Sequence, residues 1–195
     1  MSYRRRRLLI GLLLVVMSLT YSITVQQGWV KDDAKKALHT AQTSQPGLYT
    51  VKQFVDGDTI AVDMNGSVEI IRMIGVDTPE TQRPNTPIQC FGPQAADFTK
   101  KLIGDSKVRL QADPLNTNRD RYGRLLRYVY LSDGRLVETE LINNGYGFAY
   151  ILFPFEKKDD FYTAMLAAQN AKKGLWAACQ VHQEANGAYQ TNPAS

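Results

Sequence analysis

Acidic residues are missing from the first thirty positions, where the only charged side chains are Arg4, Arg5, Arg6 and Arg7. Those four account for the whole formal net charge of +4, because 23 basic residues less four leaves 19 against 19 acidic ones from Lys31 onward. The body is therefore electrically neutral, which excludes a uniformly basic nucleic-acid coat; any phosphate recognition must come from local placement of charge. Cysteine and histidine are equally scarce, at two each. With no Cys or His partners at metal-ligand spacing, His39 and His182 read as solvated surface residues. Apart from Leu8 to Val25 there is no long hydrophobic run and no internal repeat. With 44% hydrophobic, 10% aromatic and 22% charged residues, the rest is neither disordered nor a polytopic membrane protein.

The run Leu8 to Val25 follows directly on the arginines and carries no charge. It reads as an export signal, with residues 1–25 acting as a signal-anchor or a signal peptide. Its roughly 18 residues lie just short of the about 20 needed to span a bilayer. No Ala-x-Ala cleavage pattern follows, so an uncleaved anchor is favoured over secretion. The arginines would stay in the cytoplasm, with Trp29 near the interface and the remainder on the outer face. Residues 26–48, polar and rich in Thr, Ser, Gln, Pro and Gly, read as a linker.

From Tyr49 the pattern turns to strands: Tyr49 to Val55, Thr59 to Met64, Ser67 to Gly75, Lys107 to Ala112 and Leu125 to Leu131. Asn65-Gly66 between two β-rich runs is a strong hairpin signal. Helices are expected at Pro93 to Ile103, Glu138 to Asn144 and Glu156 to Lys173. In the first, Pro suits the opening position and Gly104 the exit; in the third, Phe161, Met165 and Ala168 share a face. Five strands and three helices in about 130 to 150 residues give an α+β domain built on a small, partly closed barrel, at 49–179. Residues 180–195, rich in Gln, Asn and Ala, are expected to be a disordered tail.

Candidate chemistry gathers at the strand ends. Asp56-Gly57-Asp58 sits in one turn, Arg72 in the third strand and Asp77-Thr78-Pro79-Glu80 just after it. Taken singly, each reads as well as a turn or a solvated strand residue. Together, hairpin pairing places three carboxylates near an arginine, and carboxylates without His or Cys suit a hard cation such as Ca²⁺. The run Arg119-Asp120-Arg121-Tyr122-Gly123-Arg124 offers arginine forks for phosphate, the bland alternative being a charged surface hairpin. Read as an extended segment, Arg124 and Tyr122 share one face and Arg121 takes the other.

Val55-Asp56-Gly57-Asp58-Thr59, Arg72, Val76-Asp77-Thr78-Pro79-Glu80, Arg121-Tyr122-Gly123-Arg124 and Gly174-Leu175-Trp176 resemble the staphylococcal-type thermonucleases. The resemblance runs from about Tyr49 to Trp176. It implies an OB-type barrel with three helices and a Ca²⁺-dependent endonuclease of DNA and RNA that leaves 3′-phosphorylated products. Asp58, Asp77 and the Thr78 carbonyl would hold Ca²⁺. Glu80 would orient or deprotonate the attacking water, and Arg72 and Arg124 would grip the phosphate. Arg121, Tyr122 and Tyr150 would contact the nucleotide. The sequence departs from the staphylococcal form at Leu152, where that form has a second tyrosine; Phe153 or Phe155 would offer a stacking face without a hydroxyl, or belong to the core. Loss of Arg72 or Arg124 is expected to cut turnover with the fold largely intact. Cys90 and Cys179, in an exported chain, are expected to form a disulfide, two buried thiols being the alternative. A non-catalytic OB-type module that binds single strands is the competing reading; retention of every acidic and arginine position used for chemistry counts against it.

Overall fold

The computed structural model describes residues 47–81 and 87–194. The expected export segment and most of the linker lie outside the described residues. Five strands close into a barrel in the order β1-β2-β3-β6-β5, where β1 is Leu48–Phe54, β2 Thr59–Met64, β3 Ser67–Met73, β5 Lys107–Gln111 and β6 Leu125–Tyr130. All pairings are antiparallel except β3 with β6, which run parallel with Ile71 opposite Leu125. The β2–β3 hairpin turns where expected, with Asn65 at φ 58° and Gly66 at φ 87°, the doubly left-handed turn that matches strand twist. The Asp63 carboxylate steadies it by accepting the Gly66 N–H at 2.8 Å. Closure hides the sheet edges, and alternate residues such as Ile60, Val62, Ile71, Met73, Val108 and Leu110 are buried in one core.

A second layer of helices extends that core. Helix α1 is Gly92–Ile103, with Pro93 in its first turn, Lys100 and Lys101 in its last and Gly104 as cap. Helix α2, Val137–Asn143, starts one residue earlier than its sequence signals suggest. Helix α3, Lys158–Asn170, is shorter than expected at both ends, because hydrogen bonds intervene. The Glu156 N–H is taken by Asp113, and the C-terminus closes in a Schellman motif, Lys173 N–H to Ala168 O and Lys172 N–H to Gln169 O. Lys172 occupies the left-handed position, at φ 50°, that glycine usually fills. Gly174 instead begins a fourth short helix, α4, Leu175–Ala178. It lies against Gly145, whose carbonyl oxygen accepts the Leu175 N–H at 2.8 Å; a Cβ at Gly174 would collide with that oxygen. Phe161, Met165 and Ala168 of α3 are buried, as their spacing implied. Strands β4, Val76–Asp77, and β7, Phe148–Ala149, form a two-residue ladder beside the barrel.

The end of the chain corrects one expectation. Residues 180–194 are not a disordered tail: β8, Val181–Gln183, pairs antiparallel with β9, Tyr189–Thr191. Composition misled because the hairpin is held from outside, by Tyr189 stacked 5.6 Å from Phe148 and edge-on to Trp176, and by a buried Thr191. Cys90 and Cys179 form the expected disulfide. The His182 ring is exposed and lies 3.1 Å from a Glu184 carboxylate oxygen. No helix of the described residues is long and apolar enough to cross a membrane.

Candidate active site

Asp58 closes the turn before β2, and its backbone is fixed by Met73 N–H donating to its carbonyl at 2.9 Å. Its side chain is almost fully buried. Oδ1 accepts the Thr59 hydroxyl at 2.9 Å, and Oδ2 accepts the Thr78 N–H at 2.9 Å and the Thr78 hydroxyl at 3.2 Å. Gly57 allows this approach, since a Cβ there would stand 2.8 Å from the Thr78 side chain. Turn and loop, twenty positions apart, are thereby stitched together.

Arg72, near the end of β3, reaches across the same space. One guanidinium nitrogen lies 2.7 Å from Asp58 Oδ2 and also donates to the Val76 carbonyl at 2.9 Å; the other donates to Asp77 Oδ1 at 2.6 Å. Burial alone would pull the Arg72 pKa down, but the Asp58 and Asp77 carboxylates more than offset it and hold the cation above its ordinary range. Asp56 shows the opposite balance. Burial first, then the neighbouring Asp58 charge, pushes its carboxyl up to about 8 against the pull of Arg72.

Glu80 follows in the loop. Its carboxylate accepts the Thr81 N–H at 3.1 Å, and its backbone N–H donates to the Gln89 side-chain oxygen at 2.7 Å. Across the cleft the arginine-rich run is a tight turn rather than an extended segment, so the alternating-face expectation does not hold. Asp120 organises it, accepting the Tyr122 N–H at 2.9 Å and the Arg124 N–H at 3.0 Å, with Gly123 at φ 81° completing the reversal. The second Asp120 oxygen accepts Arg124 Nε at 2.7 Å. Both Arg121 and Arg124 consequently lie over the Tyr122 ring, at 4.8 and 5.4 Å, and Arg121 donates to the Tyr122 hydroxyl at 2.8 Å.

All nine residues singled out from sequence, namely Asp58, Arg72, Asp77, Thr78, Glu80, Arg121, Tyr122, Arg124 and Tyr150, line one open cleft of about 760 Å³. Tyr150 is placed by its N–H donating to the Gly75 carbonyl at 2.8 Å. Phe153 stands 5.4 Å from the Tyr150 ring at the cleft wall, whereas Phe155 is buried against Phe161 and belongs to the core. Sequence reasoning gave Asp120 no role of its own and missed Gln89 and the hairpin residues Asn186 and Gln190 that also reach the cleft. Asp at the head of a Gly-containing turn was a signal for the first; the others carry none, because their neighbours lie far away along the chain.

The donors here are all oxygens, which fits a hard cation in kind. Among the described residues, no three His, Cys, Asp or Glu side chains converge as a ready-made metal cage. Asp58 and Asp77 turn to Arg72 instead, so any cation would have most of its shell filled from outside the protein, as an open catalytic site requires.

The chain is 42% identical over 130 residues to the thermonuclease of Staphylococcus hyicus and 41% over 129 residues to that of Staphylococcus intermedius, spanning 66% of this chain and 75% of each relative. It is 38% identical over 130 residues to endonuclease YncB of Bacillus subtilis, covering 61% of that protein. A family model described as Staphylococcal nuclease homologue matches residues 70–178, from the third barrel strand to the last helix, and the chain belongs to that family.

Proposed function

We propose that this protein is a Ca²⁺-dependent endonuclease that hydrolyses phosphodiester bonds of DNA and RNA and leaves 3′-phosphorylated products. Family membership carries the coarser part: the chain is a nuclease, a hydrolase acting on nucleic acid. The finer part is supported by one observation, that Asp58, Arg72, Asp77, Glu80 and Arg124 line a single open cleft. Asp58, Asp77 and the Thr78 carbonyl would hold the cation, whose chemistry when bound is to polarise the scissile phosphate and acidify water.

The remaining work falls to side chains. Glu80 orients the water and takes a proton from it as its oxygen bonds to phosphorus. The bond from phosphorus to the 5′ oxygen breaks, that oxygen takes up a proton, and the phosphate stays on the 3′ side. Arg72 and Arg124 oppose the charge that grows on the equatorial oxygens, and one preorganised donor of this kind supplies about 3 to 4 kcal/mol. Arg72 is already aimed by two carboxylates and a carbonyl, so little reorganisation is needed. Tyr122, 68% exposed under two guanidinium groups, offers a stacking face to a base, with Arg121 beside it for phosphate and Tyr150 across the cleft. The arginine-led hydrophobic N-terminus supports export, with the nuclease domain anchored on the outer face of the membrane or released by cleavage.

The test is cleavage of single-stranded DNA and RNA oligonucleotides by the purified chain with Ca²⁺, with Mg²⁺ and with excess chelator, followed by analysis of product ends. Ca²⁺-dependent cutting that leaves 3′-phosphates, and a loss of about 100-fold or more in Glu80→Gln, is the expected result. Undiminished cutting in chelator, or 5′-phosphate ends, refutes the proposed chemistry.

A further inference from the structure

The family match stops at residue 178, yet the chain continues into a hairpin that folds back to the active-site loop. The point of contact is the segment Ile88 to Cys90. Cys90 is bonded to Cys179, its N–H donates to the Asn192 carbonyl at 2.8 Å, and its carbonyl accepts the Thr191 hydroxyl at 2.8 Å. The Ala194 N–H donates to the Ile88 carbonyl at 2.7 Å, and Gln89 and Pro193 form a β-bridge. Held in this way, Gln89 grips the backbone of Glu80 twice. The Gln89 N–H donates to the Glu80 carbonyl at 2.9 Å, and the Gln89 side-chain oxygen accepts the Glu80 N–H at 2.7 Å. An N–H can only donate, so the amide oxygen must face Glu80, which leaves Gln89 Nε2 toward Gln190 Oε1 of the hairpin at 3.5 Å. Gly92 packs beneath, where a Cβ would stand 2.9 Å from the Glu80 carbonyl oxygen.

We propose that Gln89 is a positioning residue for Glu80, and that the C-terminal hairpin, clamped by the Cys90–Cys179 disulfide, holds Gln89 in place. A loop residue that must present a carboxylate to a water gains most from a fixed backbone, since small displacements of a reacting group are costly in rate. The inference rests on the assignment of Glu80 to the reaction, and it reaches beyond that assignment to residues outside the family match.

The experiment is a double-mutant cycle between Gln89→Ala and Glu80→Gln, with kcat and KM measured on a single-stranded oligonucleotide in Ca²⁺ and folding checked by circular dichroism and Tm. Gln89→Ala is expected to lower kcat about tenfold with KM within about twofold, and to cost less than about twofold when Glu80 is already replaced. Gln89→Glu, which keeps an acceptor oxygen for the Glu80 N–H, should restore most of the lost turnover. Thr191→Val removes the hairpin's hydroxyl bond to Cys90 and is expected to lower kcat about threefold, again only where Glu80 is present. The same loss from Gln89→Ala in both backgrounds, or full turnover in Gln89→Ala, overturns the inference. Full turnover in Thr191→Val overturns the part given to the hairpin. Full turnover in Glu80→Gln alone is a different failure, which removes Glu80 from the mechanism and the inference with it.

Discussion

Arg72 and Arg124 serve the same phosphate in the proposed reaction, but the fold treats them differently, and unfolding experiments will separate them. The Arg72 side chain is 14% exposed and the Asp58 side chain 6%. In Arg72→Ala, Asp58 keeps its bonds from Thr59 and Thr78 but loses the one cation paired with it among the described residues, and the Val76 carbonyl and Asp77 each lose a donor. Breaking a buried pair from one side costs about 3 to 5 kcal/mol. Among the described residues Arg124 makes one ion pair, with Asp120, on a side chain 29% exposed. Its removal leaves Asp120 still holding the Tyr122 and residue-124 N–H groups, and costs about 1 kcal/mol or less. At about 3 °C per kcal/mol for a domain of this size, Arg72→Ala should melt about 10 °C lower and Arg124→Ala within about 3 °C of the parent. The expectation from sequence is that both losses leave the fold largely intact; the burial of Arg72 instead predicts a marked loss of stability for Arg72→Ala and little for Arg124→Ala. Guanidinium chloride titrations and thermal melts in chelator measure the difference, and adding Asp58→Asn to Arg72→Ala should recover part of it. Equal midpoints for the two single variants would refute the argument that Arg72 is a structural cation as well as a phosphate ligand.

Three further outcomes follow from other parts of the molecule. Glu138 is fully buried, and although both its oxygens accept the Val129 N–H, burial pushes its pKa well above the ordinary 4.5. Its neutral form fits the fold, so it contributes fully below that value and the contribution is lost as pH rises toward the raised pKa. Glu138→Gln should accordingly match the parent near pH 4 and exceed it in stability at pH 8, as denaturant midpoints at the two pH values will report. Lys172→Gly should stabilise by up to about 1 kcal/mol, because glycine adopts the left-handed position closing α3 without steric penalty; an unchanged or lower Tm argues against strain there. Reduction of the Cys90–Cys179 bond, which closes a loop of 89 positions, should cost about 4 kcal/mol, read from melts with and without reductant.

Much of this protein is legible in one dimension because its determinants are local. Strand alternation, the Asn65-Gly66 turn and the Pro93 and Gly104 helix limits depend on residues within a few positions of one another, and they recur where expected. The site was legible for a related reason. Asp58, Arg72, Asp77 and Glu80 lie within 23 positions on two adjoining hairpin strands and the loop after them, so strand pairing alone brings most of them together. Sequence also determined that charge would act locally, since the body is neutral.

Tertiary structure decided what depends on distant partners. The hairpin of β8 and β9 has a composition typical of a tail, and it is ordered by Phe148, Trp176 and Cys90, from 13 to 101 positions away. Gln89 becomes part of the site only because that hairpin and the disulfide press its segment against Glu80. Likewise nothing in the sequence distinguishes Arg72 from Arg124, for burial is a property of what closes over a side chain. Sequence determined which groups the chemistry has at hand, through short-range pattern; packing determined which are rigid, which are buried and what holds them, because those depend on contacts that only the closed barrel makes.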